Sequence, residues 1–130
     1  MTQIFKGDEV LPVSIIRLDK KDDLDAFKEG DVIKVRGTTK GKGFQGVVKR
    51  HGFGGGPKTH GQKNRLRAPG SIGSTAPQRV LPGKKMAGRM GGVKKTILNL
   101  KVVNIDKDAN VLMVCGSVPG NNNQKIEIRK

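Results

Sequence analysis

The stretch Asp31-Val32-Ile33-Lys34-Val35-Arg36 runs straight into Gly37-Thr38-Thr39-Lys40-Gly41-Lys42-Gly43. The first six residues alternate. Ile33 and Val35 fall on one face and Lys34 and Arg36 on the other, which is the two-residue period of a half-buried strand. At Gly37 the alternation stops and glycine and lysine take over. This junction divides the chain into two compositions. Residues 1–36 and 93–130 read as ordinary globular sequence, and residues 37–92 do not. The middle segment holds most of the 19 glycines and four of the six prolines (Pro57, Pro69, Pro77 and Pro82). Glycine raises the entropy cost of ordering and proline removes a backbone donor, so this density of both excludes helices and long strands.

The flanks on either side read as short strands. Val10 to Leu18 is rich in β-branched residues, and Thr96 to Ile105, Asn110 to Val118 and Gln124 to Arg129 complete the set. Phe44 to Lys49 is expected to continue the sheet. Asp106 to Asn110 and Gly120 to Asn123 carry turn chemistry. Asp22 to Glu29 suits a turn or two of helix, stopped by Gly30. The expected fold is mainly β: a small closed antiparallel barrel of about six strands. Its predicted core is Val13, Ile15, Ile33, Val35, Leu98, Leu100, Val102, Leu112, Val114 and Ile126. A body this short has a marginal core. Residues 37–92 form a basic extension inserted between its strands. Their low hydrophobicity and high charge do not support ordering by burial, so a finger mobile on the ns–μs scale is expected until a scaffold holds it.

Charge indicates what that scaffold is. The formal net charge is +15 in 130 residues, with a pI near 10.4, and the distribution is more telling than the total. No carboxylate occurs between Val32 and Ile105, while cations recur from Lys34 to Lys101. A one-sign segment of this length repels itself unless phosphates neutralise it, so the implied partner is a nucleic acid. Phe44 and Phe53 are the only aromatic rings besides His51 and His60 among these cations, too few for a base-stacking platform. Folded RNA read by shape and phosphate fits better.

Catalytic and cofactor chemistry find no constellation. His51, His60 and a distant Cys115 do not make a zinc pattern, and Cys115, the sole cysteine, reads as a small buried hydrophobe with no disulfide partner. The carboxylates from Asp19 to Asp31 read as a solvated turn. Gly37 to Gly43 is one residue short of phosphate-loop spacing, and Gly83 to Arg89 has arginine where that loop needs lysine. No catalytic residue, metal, cofactor or small-molecule substrate is expected. No secretory or membrane-spanning run is apparent, so a cytoplasmic protein is expected. A free-standing RNA chaperone or general nucleic-acid-binding protein is the alternative that charge alone leaves open.

The sequence becomes specific in its motifs. Gly37-Thr-Thr-Lys-Gly-Lys-Gly-Phe-Gln-Gly-Val-Val-Lys-Arg-His-Gly-Phe53, Thr59-His60-Gly61, Arg67-Ala-Pro-Gly-Ser-Ile-Gly73, Pro82-Gly-Lys-Lys-Met-Ala-Gly88 and Asn110-Val-Leu-Met-Val-Cys-Gly-Ser-Val-Pro-Gly120 closely resemble the bacterial ribosomal protein L-three family of the large subunit. Met1 to Phe5 and Val10 to Ile16 resemble its first barrel segment. Three features depart from the family, which normally has some residues before this Met1-Thr2. Only Asp19 to Glu29 stands where the family has several tens of residues, so the chain resembles a shortened member lacking part of the usual N-terminal half. Ser74 also stands where some bacterial members carry a modified glutamine. The resemblance implies a translation-protein-type barrel and an extension threading large-subunit ribosomal RNA toward the peptidyl-transferase region. It further implies an early role in subunit assembly beside neighbouring large-subunit proteins, and no chemistry of its own. Expected RNA contacts are Lys40, Lys42, Lys49, Arg50, His51, His60, Lys63, Arg65, Arg67, Lys84, Lys85 and Arg89. Close backbone approach is expected at Gly43, Gly61, Gly70, Gly73, Gly83 and Gly88.

Overall fold

Two strands joined by the two-residue turn Gly7-Asp8 open the chain, β1 (Thr2–Lys6) and β2 (Glu9–Arg17), with Lys6 opposite Glu9. Gly7 has φ 63°, a left-handed conformation that such a tight hairpin turn favours. The structure is a computed structural model and describes residues 1–19 and 24–130. Its remaining elements are β3 (Val32–Thr38), β4 (Phe44–Gln45), α1 (Val47–His51), β5 (Gly88–Arg89), β6 (Lys94–Asp106), β7 (Val111–Cys115) and β8 (Glu127–Arg129). The described residues fall into two compact units, Met1–Lys40 with Val93–Lys130, and Gly41–Gly92.

The first unit is a six-stranded antiparallel sheet in the order β1-β2-β7-β6-β3-β8. The mainly β expectation holds. Strand β6 shapes it. Val32 to Thr38 of β3 pair with its first half, and β7 pairs with its second half from Val102 to Asp106. Each half carries a register shift. Ile33 lies opposite Leu100 while Val35 lies opposite Ile97, so β6 bulges at Leu98-Asn99, and Asn99 takes φ 59°. Such a bulge reverses which side chains face inward. That is why Leu98, expected in the core, is 62% exposed and Ile97 packs inward instead. The second shift, between Val102 and Asn104, turns Ile105 inward in the same way.

One core cluster draws from both halves: Ile16, Leu112, Val114 and Val102 with Ile33, Val35 and Leu100, capped by Leu24. Ile126 and Ile128 pack against it, half-buried. The expected Ile15 is a second correction, at 55% exposed. Strand β2 turns Ser14 and Ile16 inward, opposite Val114 and Leu112. This is tolerable because the buried Ser14 hydroxyl donates to the Gly116 carbonyl at 2.6 Å. Val13 is buried on the other face, opposite Thr2 and Cys115.

The expected closure into a barrel is not found among the described residues. β1 and β8 are the sheet's two edges. β1 reaches only to Val13 of β2, leaving Ser14 to Arg17 without a partner on that side, and β8 has three residues. Of the expected helix, Asp22 and Asp23 lie outside the described residues. From Leu24 there is a single turn, with the Phe27 amide donating to the Leu24 carbonyl at 3.0 Å.

The predicted turns behave as their chemistry requires. Asp106 Oδ1 accepts from the Asp108 and Ala109 amides, each at 3.0 Å, and Asn110 sits at φ 59°. Asp31 opens β3 and is tied to the chain's last residue. Lys130 Nζ donates to Asp31 Oδ2 at 2.7 Å and the Lys28 amide to the same oxygen at 2.9 Å. Both bonds favour the charged form and hold the Asp31 carboxyl below its usual range, the Lys130 bond foremost. With a lowered folded-state pKa, its contribution to stability is present above the ordinary carboxylate range. That contribution is lost as pH falls through the lowered value.

Candidate nucleic-acid interface

The second unit, Gly41–Gly92, is built on very little burial. Val47 is its only buried hydrophobic residue. The expected strand from Phe44 to Lys49 breaks after two residues: Phe44 and Gln45 pair with Arg89 and Gly88, and the chain then turns into α1. This five-residue helix was not expected in so glycine-rich a segment. Its locale explains it, because Val47-Val48-Lys49-Arg50-His51 is the one run of five here without glycine or proline in which an apolar residue is buried. Gly52 ends it in the left-handed conformation at φ 73°. Lys49, Arg50 and His51 occupy its last turn, where cations suit the helix dipole.

Two further ties order the segment. The Lys42 amide donates to the Met90 carbonyl and the Met90 amide to the Gly43 carbonyl, each at 2.9 Å. The Gly56 amide donates to the Leu66 carbonyl at 2.9 Å and so closes a loop that carries His60, Lys63 and Arg65. A Cβ on Gly55 or Gly56 would collide with the carbonyls of Leu66 or Arg65, so this loop closes only on glycine. In the first unit, Thr39 and Val93 bind each other by three hydrogen bonds across 54 residues of sequence, two of them through Thr39 Oγ1. Thr39, Gly55 and Gly56 were not singled out from the sequence, because their partners are distant in it.

The expected contact residues separate into two groups. Lys40, Lys42, Lys49, His60, Lys63, Arg65, Arg67, Lys84, Lys85 and Arg89 are all exposed. None of these cations pairs with a carboxylate among the described residues. The ion pairs found lie on Arg36, Lys107, Arg129 and Lys130. Arg50 and His51 are half-buried and turned to the chain itself. Arg50 Nη1 donates to the Met86 carbonyl at 2.7 Å, and His51 Nε2 lies 3.0 Å from the same oxygen. The singled-out glycines also divide. Gly43, Gly61, Gly70 and Gly83 have positive φ with open space where a Cβ would stand. Gly73 lacks positive φ, and so does Gly88, whose Cβ would lie 2.8 Å from Arg50 Nη1. No group of three or more potential metal ligands gathers among the described residues, and no helix is long and apolar enough to cross a membrane.

These features define a class, an antiparallel-sheet protein with a long, carboxylate-free cationic segment inserted in sequence between two strands of the sheet. The particular family follows from comparison with known proteins: the chain belongs to the ribosomal protein L3 family, whose model matches residues 14–111. It is 57% identical over 106 residues to the large ribosomal subunit protein uL3 of Chlorobaculum tepidum, covering 81% of this chain and 51% of that one. It is 58% identical over 103 residues to the uL3 of Chloroherpeton thalassium, covering 78% and 50%. Against the uL3 of Bacillus thuringiensis it is 50% identical over 97 residues, covering 75% and 46%. The chain thus spans about half the length of these relatives.

Proposed function

We propose that this chain is a structural constituent of the large ribosomal subunit and binds large-subunit ribosomal RNA, chiefly through residues 37–92. The observation that carries this reading is the set of exposed cations there, none of them paired with a carboxylate among the described residues, on a member of the L3 family. Lys40, Lys42, Lys49, Lys63, Arg65, Arg67, Lys84, Lys85 and Arg89 meet phosphates, and His60 stacks or hydrogen-bonds near the far end of the segment. The left-handed glycines Gly43, Gly61, Gly70 and Gly83 bring backbone amides close to RNA. Gly73 and Gly88 belong to the same set of expected approaches.

In the finer reading, the sheet body is a translation-protein-type barrel whose seam lies between β1 and β8. A core cluster fed by both halves of the sheet supports that. The body rests on the subunit, in the cytoplasm, beside neighbouring large-subunit proteins. The extension runs toward the peptidyl-transferase region and the protein acts early in assembly. Co-sedimentation tests the proposal: added during reconstitution, the chain is expected to travel with large-subunit particles. A folded chain that stays at the top of the gradient would refute it.

A further inference from the structure

Arg50 and His51 stand apart from the other cations of the segment. They alone among the twelve expected RNA contacts are half-buried, and both reach one acceptor, the Met86 carbonyl oxygen. A carbonyl has two lone pairs and can take both donors, and the bond from a guanidinium is charge-assisted. Gly88 makes the approach possible, because its missing Cβ leaves the space that Arg50 Nη1 occupies. The His51 ring is backed by Phe53, with centroids 5.9 Å apart and planes tilted by 41°. On the same segment Gly88 and Arg89 pair with Gln45 and Phe44, and Met90 bonds to Gly43. Met86, Gly88, Arg89 and Met90 are therefore all fastened to residues 43–51. Lys84 and Lys85, immediately before them, are exposed.

We propose that Arg50 and His51 are positioning residues that latch α1 to Met86, fixing Lys84 and Lys85 relative to Lys49 before RNA arrives, and that they do not themselves contact phosphate. The proposal rests on the RNA-binding reading above and replaces, at these two positions, the direct contact that the sequence led one to expect. Its physical content is preorganisation. A cation pair already held in place loses less freedom on binding than one on a loose loop. Losing the latch therefore weakens RNA binding without removing a phosphate contact. The two roles differ in salt dependence, since each lost phosphate contact lowers the slope of log K against log salt by roughly 0.7 to 0.9.

The test uses the full chain with Arg50→Ala and Gly88→Val. The second variant keeps every cation and suits an extended backbone, but its side chain displaces the guanidinium. Amide exchange in the free protein reads the latch at Met90, with Leu100 and Val114 reporting whether the sheet remains intact. Binding to in vitro transcribed large-subunit ribosomal RNA across a salt series reads the consequence. Both variants are expected to speed exchange at Met90 about tenfold and to weaken RNA binding by a similar factor, with the salt slope of the unaltered chain. Unaltered exchange at Met90 in Gly88→Val would overturn the proposal. So would Arg50→Ala losing a full phosphate contact of slope while exchange in the free protein stays the same. If the unaltered chain binds no such RNA, the function reading fails on its own, and the exchange rates still decide whether the latch exists.

Discussion

Leu100→Ala is expected to destabilise the sheet unit by about 2–5 kcal/mol, the range for emptying a packed leucine site. Leu100 sits on β6 opposite Ile33, in the cluster shared by the two halves of the sheet. Truncation there removes contacts to both. Small domains have only about 5–15 kcal/mol in total, and a sheet of this size belongs at the lower end, so the substitution removes roughly half or more of the free protein's stability. Urea unfolding of the two chains reads the difference directly. RNA that binds only the folded form restores part of the loss by mass action, so the variant regains stability as RNA is titrated in. Lys85→Ala, by contrast, leaves the melting temperature of the free protein unchanged, since Lys85 is exposed and its side chain makes no ion pair among the described residues. A drop equal to that of Leu100→Ala would erase the distinction between a sheet that folds by burial and a segment that faces RNA.

Replacing Lys42, Lys63, Arg67, Lys84 and Lys85 together by alanine should have the largest effect on binding. All five are exposed and none has a carboxylate partner among the described residues. If each meets one phosphate, the salt slope falls by roughly 3.5 to 4.5, which at 0.1 M salt corresponds to a loss in affinity of roughly 3 × 10³- to 3 × 10⁴-fold. The sheet is untouched, so the thermal unfolding profile stays in place. Filter binding over a series of salt concentrations measures both the slope and the affinity. A slope that falls by less than one would mean that these side chains do not carry the contact.

Much of this was legible in the sequence because it depends on local period and composition. The alternation of Ile33 and Val35 fixed the face of β3, and both are buried. The Asp106 to Asn110 turn formed as aspartate and asparagine chemistry dictates. The lack of carboxylates between Val32 and Ile105 foretold that cations of the second unit would find no partner in it. What was not legible came from contacts between distant residues. The bulge at Leu98-Asn99 turned one apolar residue outward and another inward, and period alone does not reveal a bulge. Ser14 displaced Ile15 from the core because Gly116, 102 residues away, offers it an acceptor. The bonds that Arg50 and His51 make to the Met86 carbonyl, 36 and 35 residues on, were equally out of reach of local period and composition. The same limit applied to sheet closure. Strand content was readable, but whether the first and last strands meet depends on edges that pairing has to reveal.

A competition between large-subunit ribosomal RNA and duplex DNA for the full chain, repeated as salt is raised, shows whether this protein recognises its RNA or only its charge. A protein that fits one folded RNA keeps a non-electrostatic share of its affinity, so its preference for the ribosomal RNA persists and widens as phosphate contacts are screened. That is the expected result. Equal affinity for the two polyanions, falling together with salt, would contradict the account and leave only a general nucleic-acid-binding protein.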